Sequence, residues 1–284
     1  MSLWMAVVGI LASGAAVAVA AGRIVRQRDE RQAQAAWAAL ANAPPEGPAR
    51  FEPRVLDGAP DPARRYLRYA IASGAALRTV AVIEIEGEFS LGTKAKPGYL
   101  PMRAREILAF PRGLVWSPVI GSGLMRFAGS DGYLDGEAWT RFWALGAAPV
   151  ARTGGGSDMA RSAAARMLAE AALWTPAVLL PRDGVRWEAV GQDTARVTVD
   201  HRGWPISLDI AVAPDGRPLA FVMRRWSNAN PERIFREQAF GGVVNATRRF
   251  GDYTLPAEIE VGNHFGSDDY FPFFKARVVG VRDP

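Results

Sequence analysis

Alternation of apolar and polar positions dominates the chain beyond residue 80. Ala81, Ile83, Ile85 and Phe89 alternate with Val82, Glu84, Glu86 and Glu88, a period of two that sends successive side chains to opposite faces of a strand. Residues 101–110 repeat the pattern, with Arg103 and Arg105 on one face and Met102, Ala104 and Leu108 on the other. Segments 113–120, 123–134, 137–145, 184–191, 194–201, 204–213, 217–226, 234–245, 255–264 and 271–282 read as further strands. Pro214-Asp215-Gly216 and Gly191-Gln192-Asp193 supply turns between neighbours, so the pattern predicts an antiparallel meander.

Helical signals interrupt it twice. Asp61-Pro62 looks like an N-cap with proline at the first helical position, and Leu67, Ala70 and Ile71 share one side before Gly74 ends the run. Ser157 is expected to cap an alanine-rich helix from Asp158 to Trp174, stopped by Thr175-Pro176. A sheet this wide curls rather than staying flat. The expected fold is therefore mainly β (α+β): a curved antiparallel half-barrel with helices on its concave side and an apolar groove between the layers.

The start of the chain has another pattern. Leu3 to Gly22 is twenty residues without a charge, enough helix to span ~30 Å of bilayer core. Three readings compete: a transmembrane anchor, a signal peptide cleaved near Ala18-Val19-Ala20, and a buried soluble helix. No basic residue precedes the stretch, which weighs against the signal peptide. The anchor is the reading adopted, giving a single-pass inner-membrane protein. Arg23, Arg26, Arg28 and Arg31 directly after it argue for a body in the cytoplasm, but the side of the membrane on which the body lies stays open. The expected organisation is an anchor and helical stalk over 1–41, a proline-rich linker over 42–60 and the half-barrel over 61–284.

Composition removes several chemistries. The chain of 284 residues has no cysteine and two histidines. That excludes disulfides, thiol nucleophiles and thiolate metal sites, and leaves little room for an imidazole-rich one. Phosphate loops, dinucleotide fingerprints, HExxH and G-x-S-x-G are absent from the sequence. No cofactor or metal is expected. The net charge of +5 comes from scattered arginines with acids nearby, not from a basic stripe. This argues against a nucleic-acid partner and mildly for anionic lipid headgroups at a membrane.

Several strings are familiar in order: Arg65-Tyr66-Leu67-Arg68-Tyr69-Ala70, Ile85-Glu86-Gly87, Met102-Arg103-Ala104-Arg105-Glu106, Gly113-Leu114-Val115-Trp116 and Gly129-Ser130-Asp131-Gly132-Tyr133-Leu134. The most specific is Arg166-Met167-Leu168-Ala169-Glu170 followed by Trp174-Thr175-Pro176. Together they resemble an uncharacterised bacterial family of membrane-anchored domains of unknown function, over roughly 60–284. The departure is Gly262-Asn263-His264, where a tryptophan is expected. The resemblance implies a lipoprotein-carrier-like (LolA-like) half-barrel, a fold that shelters acyl chains, and no assigned reaction.

Candidate sites come from spacing. Arg166, Glu170 and Trp174 share one helical face at intervals of four. They read either as a headgroup contact or as a tie between helix and sheet, the second being favoured. Glu84, Glu86 and Glu88 facing Arg103 and Arg105 read as a structural cross-strand charge ladder outside any closed pocket. Residues 131–137 read as a glycine turn rather than a calcium loop. Trp116, Tyr133 and Trp226 would add contact area to a groove, and Arg224 and Arg225 would stand near an anionic headgroup. The sequence thus predicts a membrane-anchored, non-enzymatic domain binding a lipid or other lipophilic ligand. Its alternatives are an envelope interaction module whose groove is filled by its own helices, and an enzyme with acid–base chemistry at Glu170.

Overall fold

The computed structural model describes the backbone of residues 3–44 and 50–284, with side chains described at 13, 14, 16–44 and 50–284. Thirteen strands form one antiparallel sheet. They are β1 (Val80–Ser90), β2 (Tyr99–Ala109), β3 (Gly113–Ile120), β4 (Phe127–Leu134), β5 (Glu137–Ala144), β6 (Ala148–Gly154), β7 (Val185–Gly191), β8 (Thr194–His201), β9 (Trp204–Val212), β10 (Pro218–Ser227), β11 (Arg236–Phe250), β12 (Tyr253–Asn263) and β13 (Phe271–Arg282). Their order is β6-β5-β4-β3-β2-β1-β13-β12-β11-β10-β9-β8-β7. Two meanders, β1–β6 and β7–β13, join where β1 pairs with β13.

The helices are α1 (Leu3–Ala41), α2 (Asp61–Ala70) and α3 (Ser157–Trp174). One helix reports the curvature. α3 touches β2 to β5 and also β9, β10 and β12. In a flat sheet, β5 and β9 would stand nine strand spacings apart, ~43 Å at ~4.8 Å each. A helix ~10–12 Å across reaches both only if the sheet curls around it. α2 fills the inner side near β7, β8, β9 and β12, where Tyr66 Oη donates to the Ala172 carbonyl of α3. Both caps differ from expectation. Pro60 and Gly156 are the N-caps, so Asp61 and Ser157 are first helical residues, and Asp61 instead accepts from Arg64 and Arg65.

The expected strands are present, with two differences. β6 carried no expectation. Its side chains are mostly exposed, so no buried face imposes alternation, and Pro149 is tolerated because the strand lies at the sheet edge. β11 runs to Phe250, five residues beyond the expected end, through the polar run Asn245–Arg249 and register shifts near Ala246. The charge ladder forms as expected: Glu84 pairs with Arg105 and Glu86 with Arg103 in the β1–β2 register. The Glu86–Arg103 contact is 3.6 Å, while Arg105 lies over the Trp37 ring of α1.

The expected inner-membrane location is corrected. Among the described residues, no helix is long and apolar enough to cross a membrane. Residues 3–12 of the uncharged stretch, part of the expected anchor, lie outside those whose side chains are described. The part expected to be a helical stalk packs on the sheet. Ala33, Ala36 and Leu40 form a second core with Val82, Ile107 and Val115. Asp29, 3% exposed, accepts two 3.0 Å bonds from Arg152 of β6. A buried carboxylate with a bidentate guanidinium partner is a specific tether. Of the expected linker, residues 45–49 lie outside the described set, and Phe51 and Leu56 are buried in the main core.

Candidate functional site

A cavity of about 460 Å³ lies between α3 and the inner face of the sheet. Phe89, Trp116, Phe142, Leu173, Phe221 and Phe274 contribute much of its wall. Packed interiors hold few voids larger than a water molecule, so this one is a feature of the fold.

One wall is charged, and strand register builds it. Across β2, β3, β4 and β5, Glu106 stands opposite Trp116, Trp116 opposite Asp131, and Asp131 opposite Thr140. This single row faces α3, which lowers Arg166 onto it. Arg166 Nη1 donates to Asp131 Oδ2 at 2.6 Å, its Nε to Glu170 Oε1 at 2.6 Å, and its Nη2 to Glu106 Oε2 at 3.4 Å. Its guanidinium also lies 5.3 Å from the Trp116 ring centre. Asp131 Oδ1 takes the Thr140 hydroxyl at 2.6 Å. Burial opposes charge on Arg166, but Glu170, Asp131 and Glu106 outweigh it and hold its pKa above the ordinary value.

Glu106 is 1% exposed. Burial first, then the Glu170 carboxylate, holds its carboxyl well above the usual range. Two buried carboxyl oxygens here lack a partner, Glu106 Oε1 and Glu170 Oε2. A hydrogen bond to Glu170 adds to the rise, the Glu106 proton being shared between the two carboxyls. Folding therefore favours protonated Glu106, and this stability is complete below its unfolded pKa of ~4.3 and is lost as pH rises through the folded value. Glu106→Gln, which mimics the protonated acid, is expected to flatten the fall of melting temperature from about pH 5 to about pH 9. A variant that falls as steeply as the wild type would contradict the shared proton.

Residues 49–276 match the family of unknown function DUF6544. The chain belongs to this family. The resemblance read from the ordered strings agrees with that match. No curated protein matches the DUF6544 chain in sequence. Two solved structures are similar to it. A LolA superfamily protein from Nitrosomonas europaea is 9% identical, with 78% of this chain and 90% of that chain covered and a TM-score of 0.35. A putative outer membrane lipoprotein-sorting protein domain from Vibrio parahaemolyticus is 9% identical, with 72% and 84% covered and a TM-score of 0.35.

Within this DUF6544 chain, four of the residues singled out by sequence come together: Arg166, Glu170, Trp174 and Trp116 all line the cavity. Three lie elsewhere. Tyr133 is fully buried and bonds His201 Nε2 at 2.7 Å, and burial pulls His201 below its ordinary pKa. Arg224 reaches the Glu237 carbonyl at 3.3 Å on the exposed surface. Trp226 donates to Asp158 at 2.8 Å under Arg161. Alternation along β10 gives the cavity Phe221 and Arg225 instead. Glu106 carries no expectation as a site residue, and Asp131 is expected in a turn. Asp131 sits within β4, and the turn begins only at Asp135, with Asp135 and Gly136 both at positive φ.

Proposed function

We propose that the protein binds a lipid or other lipophilic molecule in the cavity between α3 and the curved sheet. The observation that carries this is the cavity itself: about 460 Å³, apolar over most of its wall, with Asp131, Arg166, Glu170 and Arg225 as its charged lining. Ligand sites fall in the range ~300–1,000 Å³ and combine apolar walls with few polar groups. The Arg166 cluster serves this reading as a fixed wall. Arg166 spends three nitrogens on three carboxyls and ties α3 to β2 and β4, which holds the cavity open against collapse.

The test is extraction of the purified full chain with organic solvent and identification of the released molecules. A lipid in near-stoichiometric amount is expected. A clean chain that also takes up nothing from added lipid mixtures would overturn the proposal and leave an interaction module as the working reading.

A further inference from the structure

The cavity of about 460 Å³ adjoins a second, more polar one of similar size, and Asp131, Thr140, Arg166, Arg225 and Phe273 line both. The charged wall is thus a partition with an apolar chamber on one side and a polar one on the other. An elongated ligand crossing it would need two different ends.

The partition contains one cation with no direct ion pair among the described residues. Asp131 accepts from Arg166 and the Thr140 hydroxyl, and Glu170 accepts from Arg166. Arg225 differs. Its Nε donates to the Ser162 carbonyl at 3.2 Å, and its guanidinium stands 4.8 Å from the Phe240 ring centre. No carboxylate among the described residues forms an ion pair with it, and its two terminal nitrogens have no acceptor there. Arg225 is half-buried, and drawing a charge out of water without a partner is costly. Burial, with Arg166 close by, outweighs the nearby Asp131 and Glu170 and pulls its pKa down to about 10, so it remains a cation at neutral pH. A second donor in the same cavity is also unused: Trp116 Nε1 is buried with no acceptor.

We infer that the ligand is an anionic amphiphile, its tail in the apolar chamber and its acidic head, a carboxylate or phosphate, paired with Arg225 at the partition. This rests on the proposed function and adds the headgroup class. Arginine suits such a head because its planar fork pairs two oxygens at once.

The experiment titrates the full chain with palmitate, hexadecyl phosphate and hexadecanol, which share a tail and differ in charge, by isothermal calorimetry. Binding of palmitate or the phosphate at least about tenfold tighter than hexadecanol is expected, a difference of ~1.4 kcal/mol. Whichever acid binds tighter identifies the head. Arg225→Met should erase that preference and leave hexadecanol binding unchanged. Arg224→Met, one residue along and exposed, should change neither. Thermal melts of both variants establish folding, and Arg225→Lys keeps the test open if the methionine variant does not fold, since it should retain part of the preference. Equal binding of all three amphiphiles, with Arg225→Met or Arg225→Lys no different, overturns the headgroup while leaving the lipophilic cavity standing. Failure of all three to bind overturns the cavity reading itself.

Discussion

Arg166→Met is expected to lower the unfolding free energy by about 3–5 kcal/mol at neutral pH, the usual cost of removing one partner from a buried charge cluster. The side chain of Arg166 is 17% exposed and contacts Glu106, Asp131 and Glu170. Without it, the Asp131 and Glu170 carboxylates stay in the apolar wall beside Glu106, whose carboxyl burial already biases toward its protonated form. Methionine fills much of the lost volume, so the loss reports charge rather than a void. The pH dependence has a definite sign. A carboxylate left in an apolar wall without a cation favours its neutral form, so lowering the pH relieves the penalty. The difference between wild type and variant should therefore shrink from about pH 8 to about pH 4. Urea unfolding at several pH values measures it, and a loss that stays constant with pH would show that Arg166 acts by packing alone.

The second large effect concerns binding rather than stability. Ala169 faces the cavity from α3, one turn before Leu173. Ala169→Phe should place a ring in the cavity and reduce affinity for a long-chain fatty acid by about a hundredfold, the loss expected if apolar contact is most of the binding energy. Stability should change little or rise, because the ring enters empty space rather than a packed interior. A variant that binds as tightly as the wild type would place the ligand elsewhere.

How much of the fold and the site was legible in the sequence depends on burial. Strands with one buried face announced themselves: β1 and β2 alternate, and the facing of the β1 glutamates by Arg103 and Arg105 was readable, while the residue pairs, with Glu88 opposite Pro101, follow from a register the sequence does not show. β6 was not, because an exposed edge strand carries no apolar pattern. The helix stripe Arg166, Glu170 and Trp174 was visible because its spacing is local. Its partners were not, because Asp131 and Glu106 reach it only through the register of β2, β3 and β4. One signal was available. Met102, Ala104 and Leu108 occupy the inward positions of β2, and Glu106 falls on the same parity. A lone acid on an otherwise apolar strand face is an instruction to look for its partner.

At the start of the chain, local sequence misled. An uncharged stretch of twenty residues reads as an anchor when taken alone. The same helix α1 continues to Asp29, whose pairing with Arg152 across more than a hundred residues of sequence docks it on the sheet. The arginines read as a topology signal are, for Arg26, also part of a local 2.7 Å pair with Glu30 on the docked helix.

Both the proposed function and the headgroup assignment require that the cavity take up an apolar chain. Trp116 and Trp174 line it, so a long-chain fatty acid brominated in mid-chain offers a direct reading through short-range quenching of tryptophan emission. The wild-type chain is predicted to show saturable quenching of part of its emission, near one ligand per chain, and Ala169→Phe to lose it. Quenching that never saturates, or that persists undiminished in the filled variant, would contradict the account.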